Sequence, residues 1–381
     1  MLMQPTHRHI GFLTAGIALL VFASACTTPE TASETTAPVA VYDSAADSLR
    51  FPGETHLRNV RQLTFGGNNA EAYWSYDSRQ LTFQSDFSGI NAQGCDQIFV
   101  VNIDGTPHAD GSPYRLASTG KGRTTCSYFT PEGRVLYAST HAADPACPAP
   151  VAFAQGRYVW AIYPTYDIYI ADADGANTAL LIGGDGYDAE ATVSPDGRFM
   201  IFTSTRSGDL DLWRYEFATE ETIQITAALG YDGGAFFSPD GTQIVWRASR
   251  PEGDEASTYQ ALLADGFVEP KALNIFVADL DGGNARQVTD LPGANWAPFF
   301  HPDGQRILFT TNHHDTQGGR LFDIFMIGVD GSNLTQITHS GSFDAFPMFS
   351  PDGKYLAFSS NRTLAAEPSR DTNVFVAEWV E

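Results

Sequence analysis

The chain has 381 residues, 43% of them hydrophobic and 18% charged, enough apolar matter for a sizeable core and too much for a disordered chain. Its 45 acidic residues outnumber 22 basic ones for a formal net charge of -23, which excludes nucleic acid as a natural partner because phosphate binding needs a basic face.

Residues 1–26 read as an export signal. Arg8, flanked by His7 and His9, precedes the apolar residues 10–22, a run too short for a comfortable bilayer span. Ala23, Ser24 and Ala25 then lead into Cys26, a stretch that resembles a bacterial lipobox. The resemblance implies lipidation at Cys26, an outer-membrane lipoprotein facing the periplasm, and contact with membrane through that anchor only. Ordinary signal-peptide cleavage is the alternative, because Ala stands where such boxes usually carry Leu. Residues 27–56 form a flexible tether and lead-in, the first twenty rich in Thr, Ala, Pro and Glu with little to bury.

From residue 57 to 381 one unit repeats. Its mark is the turn Ser350-Pro351-Asp352-Gly353, which recurs as His301-Pro302-Asp303-Gly304, Ser238-Pro239-Asp240-Gly241, Ser194-Pro195-Asp196-Gly197, Thr130-Pro131-Glu132-Gly133 and Ser75-Tyr76-Asp77-Ser78. Pro presets φ at the first corner, Asp suits the second, and Gly takes the left-handed position, so each is a tight hairpin between two strands. Successive turns lie 55, 64, 44, 63 and 49 residues apart, near the ~40–45 of a four-stranded propeller blade plus loop insertions. The expected fold is all-β, a six-bladed propeller of four-stranded antiparallel blades. For the third blade the strands fall at 190–194, 198–204, 210–216 and 221–226, called A to D outward from the channel. The last repeat stops after its C strand, while residues 57–64 end in Arg61-Gln62-Leu63-Thr64, matching Arg286-Gln287-Val288-Thr289. This N-terminal strand therefore completes the sixth blade and closes the ring. Cys95, Cys126 and Cys147 remain after Cys26; Cys95 with Cys126 is the expected disulfide, both at strand starts of adjacent blades, though Cys147 could replace either.

With these repeats in view the chain resembles the TolB-like proteins, exported bacterial six-bladed propellers of the PD40, WD40-like repeat family. Related repeats form the propellers of prolyl-oligopeptidase-type peptidases and oligogalacturonate lyases. TolB carries an N-terminal α/β domain ahead of its propeller; here only the tether and lead-in precede the first strand, so a propeller without that domain is expected.

Alternating strand direction puts the D-to-A and B-to-C connections on one face, and the two largest insertions, residues 141–164 and 249–272, are both B-to-C loops of that face. Candidate ligand-binding residues at the channel mouth are Glu71, Asp188, Glu190, Asp232, Asn295 and Asp344 near the starts of A strands, with Arg206 and Arg362 at the ends of B strands. The competing reading is that these acids pair across neighbouring blades. His141, His313 and His314 with a carboxylate would suit a divalent metal. No Gly-x-Ser-x-Gly is present, and no hydrolase domain follows the propeller, so peptidase chemistry does not transfer. The sequence reading is a monomeric, lipid-anchored propeller that binds an envelope protein or peptide on its loop-bearing face. The alternative is a metal-dependent lyase or hydrolase acting on an acidic sugar or peptide, which requires His141, His313 and Glu190 to converge.

Overall fold

The six turns close as their chemistry demands. In the computed structural model the Ser194 hydroxyl donates to Asp196 Oδ1 (2.6 Å) and accepts from the Phe199 amide (2.9 Å), while the amide of Gly197 donates to the Ser194 carbonyl (2.9 Å). The same pattern recurs at Ser238 and at Ser350. Where the sequence departs, the geometry persists: Ser78 replaces the glycine at φ 59°, and His301 Nδ1 accepts from the Asp303 amide at 3.1 Å. Each turn thus satisfies its own polar groups, which lets it project without support from the rest of the blade.

The described residues are 47–149, 151, 153–154, 156–316, 320–363 and 370–381. The expected signal segment, Cys26 and the tether at 27–46 lie outside them. Blade 1 consists of Asn69–Trp74, Gln80–Ser85, Gln97–Asn102 and Arg115–Leu116. Blade 2 is Thr124–Phe129, Arg134–Ser139, Asp167–Asp172 and Ala179–Ile182, and blade 3 is Asp188–Val193, Phe199–Ser204, Asp211–Glu216 and Glu221–Gln224. Blade 4 is Asp232–Phe237, Gln243–Ala248, Asn274–Asp279 and Arg286–Gln287; blade 5 is Asn295–Phe300, Arg306–Thr311, Asp323–Gly328 and Thr335–Gln336. Blade 6 takes Asp344–Phe349, Tyr355–Ser360 and Asn373–Trp379 from the C-terminal end, and Leu57–Gln62 from the N-terminal end as its fourth strand. The ring is closed as expected. Blade faces pack through residues with almost no exposure, among them Phe83, Phe202, Trp246, Phe309 and Phe358, which is why the B and C strands read as continuous apolar runs.

Both insertions leave the loop-bearing face and meet each other. Trp160–Ala161 of the blade 2 insertion pairs with Phe267–Val268 of the blade 4 insertion, and Arg157 forms an ion pair with Glu269 at 2.9 Å. The blade 4 insertion also carries a helix, Gly253–Ala264, seated by the buried Tyr259 and Leu262. The cysteine pairing corrects the expectation: Cys95 is bonded to Cys147, across 52 residues, and Cys126 is a free thiol. The bond ties the base of the blade 2 insertion to blade 1, a contact set by the course of that loop and not by strand starts.

Candidate functional site

Every A strand carries the same irregularity. Its pairing with the B strand slips between the second and fifth residues, and the third residue takes a left-handed backbone: Glu71, Cys126, Glu190, Gly234, Ala297 and Phe346, with φ between 47° and 60°. Such a bulge costs about 1–3 kcal/mol for a non-glycine residue and re-aims its side chain. Here it turns six side-chain positions, one per blade, toward the channel, where all six line a cavity of about 1190 Å³. The joined insertions roof it with Trp160, Ile162 and Tyr163.

The ring is chemically lopsided. On blades 1 to 3 the Cys126 thiol donates to Glu71 Oε2 at 3.1 Å, the Tyr73 hydroxyl donates to the same oxygen at 3.3 Å, and Glu190 accepts from Thr203 (2.7 Å), Tyr231 (2.7 Å) and the Gly234 amide (2.9 Å). Blades 4 to 6 contribute Gly234, Ala297 and Phe346. Gly234 makes room for a neighbour: a Cβ there would lie 1.9 Å from Arg247 Nη1. Arg247 occupies that space, ion-paired with Glu190, hydrogen-bonded to the Tyr231 hydroxyl and stacked under Trp160, 5.4 Å from its ring centre. Trp296 continues the aromatic wall, 4.8 Å from Phe346 and 6.4 Å from Trp160.

Burial dominates the ionisation of this site. It pushes the Glu71 carboxyl from 4.5 up to about 7, against the lowering influence of the Cys126 hydrogen bond and of Arg247; it also drives the Cys126 thiol well up, aided by the Glu71 charge. The folded chain therefore keeps a proton on Glu71 that the unfolded chain releases between pH 4.5 and about 7, so this residue makes stability fall with rising pH across that window. Glu71→Gln is expected to remove that slope: its melting temperature should gain on the parent as pH rises from about 5 to about 8. Parallel melting curves for the two chains at every pH would contradict it.

The candidate residues divide into two groups. Glu71 and Glu190 reach the cavity. Asp188, Asp232, Asn295 and Asp344 instead open their A strands and are locked into the blades, which removes them as mouth ligands. Arg206 donates to Asp188 at 2.7 Å, Arg250 to Asp232 at 2.7 Å and Arg362 to Asp344 at 3.1 Å, whereas Asn295 accepts from Thr311 at 2.6 Å. Burial still lifts Asp232 to about 6, opposed by Arg250. Arg206, Arg250 and Arg362 each stand two residues past the end of the B strand. At that same place the blades that open with Thr124 and Asn295 carry His141 and His313, and the blade that opens with Asn69 carries Phe87. A buried Asp thus faces an Arg, and an uncharged opener faces a residue that need not be charged.

This pairing rule explains the histidines. His141 Nδ1 lies 2.8 Å from Ser139 Oγ, and its ring packs on Tyr169. His313 sits on Phe325 beside Thr311, and His314 Nε2 lies 2.8 Å from Asp323 Oδ2. Burial lowers the pKa of His141 and of His313, the latter also through His314. The expected convergence of His141, His313 and Glu190 does not occur, since each is held by neighbours of its own region. Among the described residues no group of three or more His, Cys, Asp or Glu side chains is arranged to hold a metal ion.

Residues 267–366 match the TolB beta propeller domain family, PD40. Over that stretch the chain is similar to the TolB-like propellers. Among curated proteins it is 30% identical over 149 residues to an uncharacterised protein of Agrobacterium fabrum, covering 38% of this chain and 46% of that one. It is 28% identical over 145 residues to a TolB homolog of Chlorobium chlorochromatii, covering 38% of this chain and 28% of the other, so the alignments span less than half of either relative. The crystal structure of TolB from Acinetobacter baumannii superposes with a TM-score of 0.52 at 16% identity over 80% of this chain and 64% of that one, a likeness of fold alone. Sequence reasoning about this propeller missed Arg247, Tyr231, Trp296 and Phe346, and gave Cys126 a different task. One signal was available for the ring: its six members each stand four residues before a turn.

Proposed function

We propose that the TolB-like propeller is an exported, lipid-anchored binding protein that takes a protein or peptide segment on its loop-bearing face, at the periplasmic side of the envelope. It acts as a monomer and touches membrane only through a lipid on Cys26. The observation that carries this reading is the roofed cavity, whose wall sets aromatic side chains beside polar and charged ones, as a recognition site does. Support comes from the lid itself: Phe153 and Tyr158 meet edge to face at 5.9 Å and remain 70% and 53% exposed, as anchor residues for a partner would. The lyase or hydrolase alternative loses its basis, because its three required side chains are engaged separately.

The test is site-specific photo-cross-linking in a bacterial envelope, with the photoreactive residue at Tyr158 on the lid or at Asp240 on the opposite, turn-bearing face. The same discrete adduct from Tyr158, absent from Asp240 and lost with Trp160→Ala, is the expected result. Equal adducts from both faces would overturn the assignment.

A further inference from the structure

The charge balance of the cavity runs against that of the chain. A protein with 45 acids and 22 bases places four bases, Arg123, Arg247, Lys271 and Arg320, and three acids, Glu71, Asp96 and Glu190, along this one wall. Two of the acids are already matched: Glu190 by Arg247, and Asp96 by Arg123 at 3.6 Å. Both arginines keep a buried Nε–H with no acceptor. A buried donor without an acceptor is costly, and here it occurs on two arginines that line one cavity, the residue type best suited to oxyanions. Arg247 also lies at one end of a continuous apolar wall that runs through Trp160 and Trp296 to Phe346.

We infer that the cavity takes a carboxylate with an apolar body, its charged end on the cavity arginines and its body along the Trp160, Trp296 and Phe346 wall. A monoanion fits better than a phosphate, because Glu190 and Asp96 face the same space and would repel a second charge. The carboxylate can be the C-terminus of a peptide with an apolar last residue or a free carboxylic acid; both offer the same chemistry. This rests on the binding reading of the same cavity and specifies its ligand.

Glu71 supplies an internal check on sign. It is faced by Tyr73 from its own strand, by Cys126 from blade 2, by Glu190 and Arg247 across the channel, and by the charge of Asp96. Protonated, it can donate to a bound carboxylate; ionised, it repels one. Since burial places its titration at about 7, carboxylate binding should be tighter at about pH 6 than at about pH 8, whereas an ammonium ligand would show the opposite trend.

The experiment is calorimetric titration of the full chain with phenylbutyrate, phenylbutyramide and phenylbutylamine, and with an acetylated tripeptide ending in Phe as free acid and as C-terminal amide. Expected is binding of at least one free acid, at least tenfold tighter than its amide, stronger at the lower pH, and at least tenfold weakened by Arg123→Met and by the paired change Arg247→Met with Glu190→Gln. The paired change leaves no carboxylate stranded, and circular dichroism checks that each variant is folded. Binding of the peptide acid alone names a chain terminus as the source; binding of phenylbutyrate as well extends it to free acids. If the amides or the amine bind as tightly as the acids, in a manner lost with Trp160→Ala, the carboxylate inference falls while the binding reading stands. Absence of binding by all five probes, with the lid cross-link intact, also overturns the inference and leaves only the outer face as a recognition surface.

Discussion

Arg362→Met is expected to destabilise the propeller by about 3–5 kcal/mol, the usual consequence of stranding a buried charge by removing its partner. The Arg362 side chain has no exposure, and neither have the two carboxylates it serves, Glu54 at 2.9 Å and Asp344 at 3.1 Å. It also donates to the Leu49 carbonyl at 3.0 Å and stacks 4.6 Å from the Phe358 ring centre. The loss would come from the uncompensated acids more than from missing attraction, so a triple variant that adds Glu54→Gln and Asp344→Asn should recover most of it. Urea unfolding of the three chains decides the matter. A triple variant as unstable as the single one would mean that Arg362 acts through packing alone. Arg250 and Arg206, each with one buried Asp partner and with side chains 30% and 29% exposed, should show smaller effects of the same kind.

The Arg362 network shows where sequence reading reached its limit. Six turns were legible because Pro, Asp and Gly act within four residues of one another, and local chemistry is what a sequence displays directly. Ring closure was legible for a related reason: Arg61-Gln62-Leu63-Thr64 copies the ends of other outer strands, so its place in a blade follows from the copy. The bulges were not legible. In a regular strand, residues six and four before the turn share a face, so Asp188 and Glu190 read as one set. The extra residue between them breaks that phase, sending Asp188 into the bracket with Arg206 and Glu190 into the channel. Arg247 was hidden differently, because it lies in an apolar B strand and its function depends on the missing side chain of Gly234 thirteen residues earlier. Which cysteine pairs with Cys95, and how the two insertions join, stayed open because both depend on how two long loops cross the face of the ring, and nothing local specifies that path.

Removing residues 1–64, so that the chain begins at Phe65, is expected to abolish cooperative folding. The first strand and the residue that follows it bury Leu57, Val60 and Leu63 to 0%, 6% and 8% exposure, and each such burial contributes about 1.5–3 kcal/mol. Their combined loss is comparable with the whole net stability of a typical domain, about 5–15 kcal/mol. The deletion also strips the backbone ladder from Asn373–Trp379: Leu63 donates to the Val374 carbonyl at 2.8 Å, and the Val374 amide donates to Thr64 Oγ1 at 2.8 Å. An unpaired seven-residue edge then faces water, a template for aggregation. Because the deletion also removes Glu54, a second chain beginning at His56 isolates that contribution. It should be destabilised on the scale of the Arg362 variants yet unfold cooperatively, with the His56 ring still stacked 4.9 Å from Trp379. Thermal unfolding followed by circular dichroism separates the cases. A chain starting at Phe65 that melts with the temperature and cooperativity of the intact protein would show that the ring holds without its closing strand.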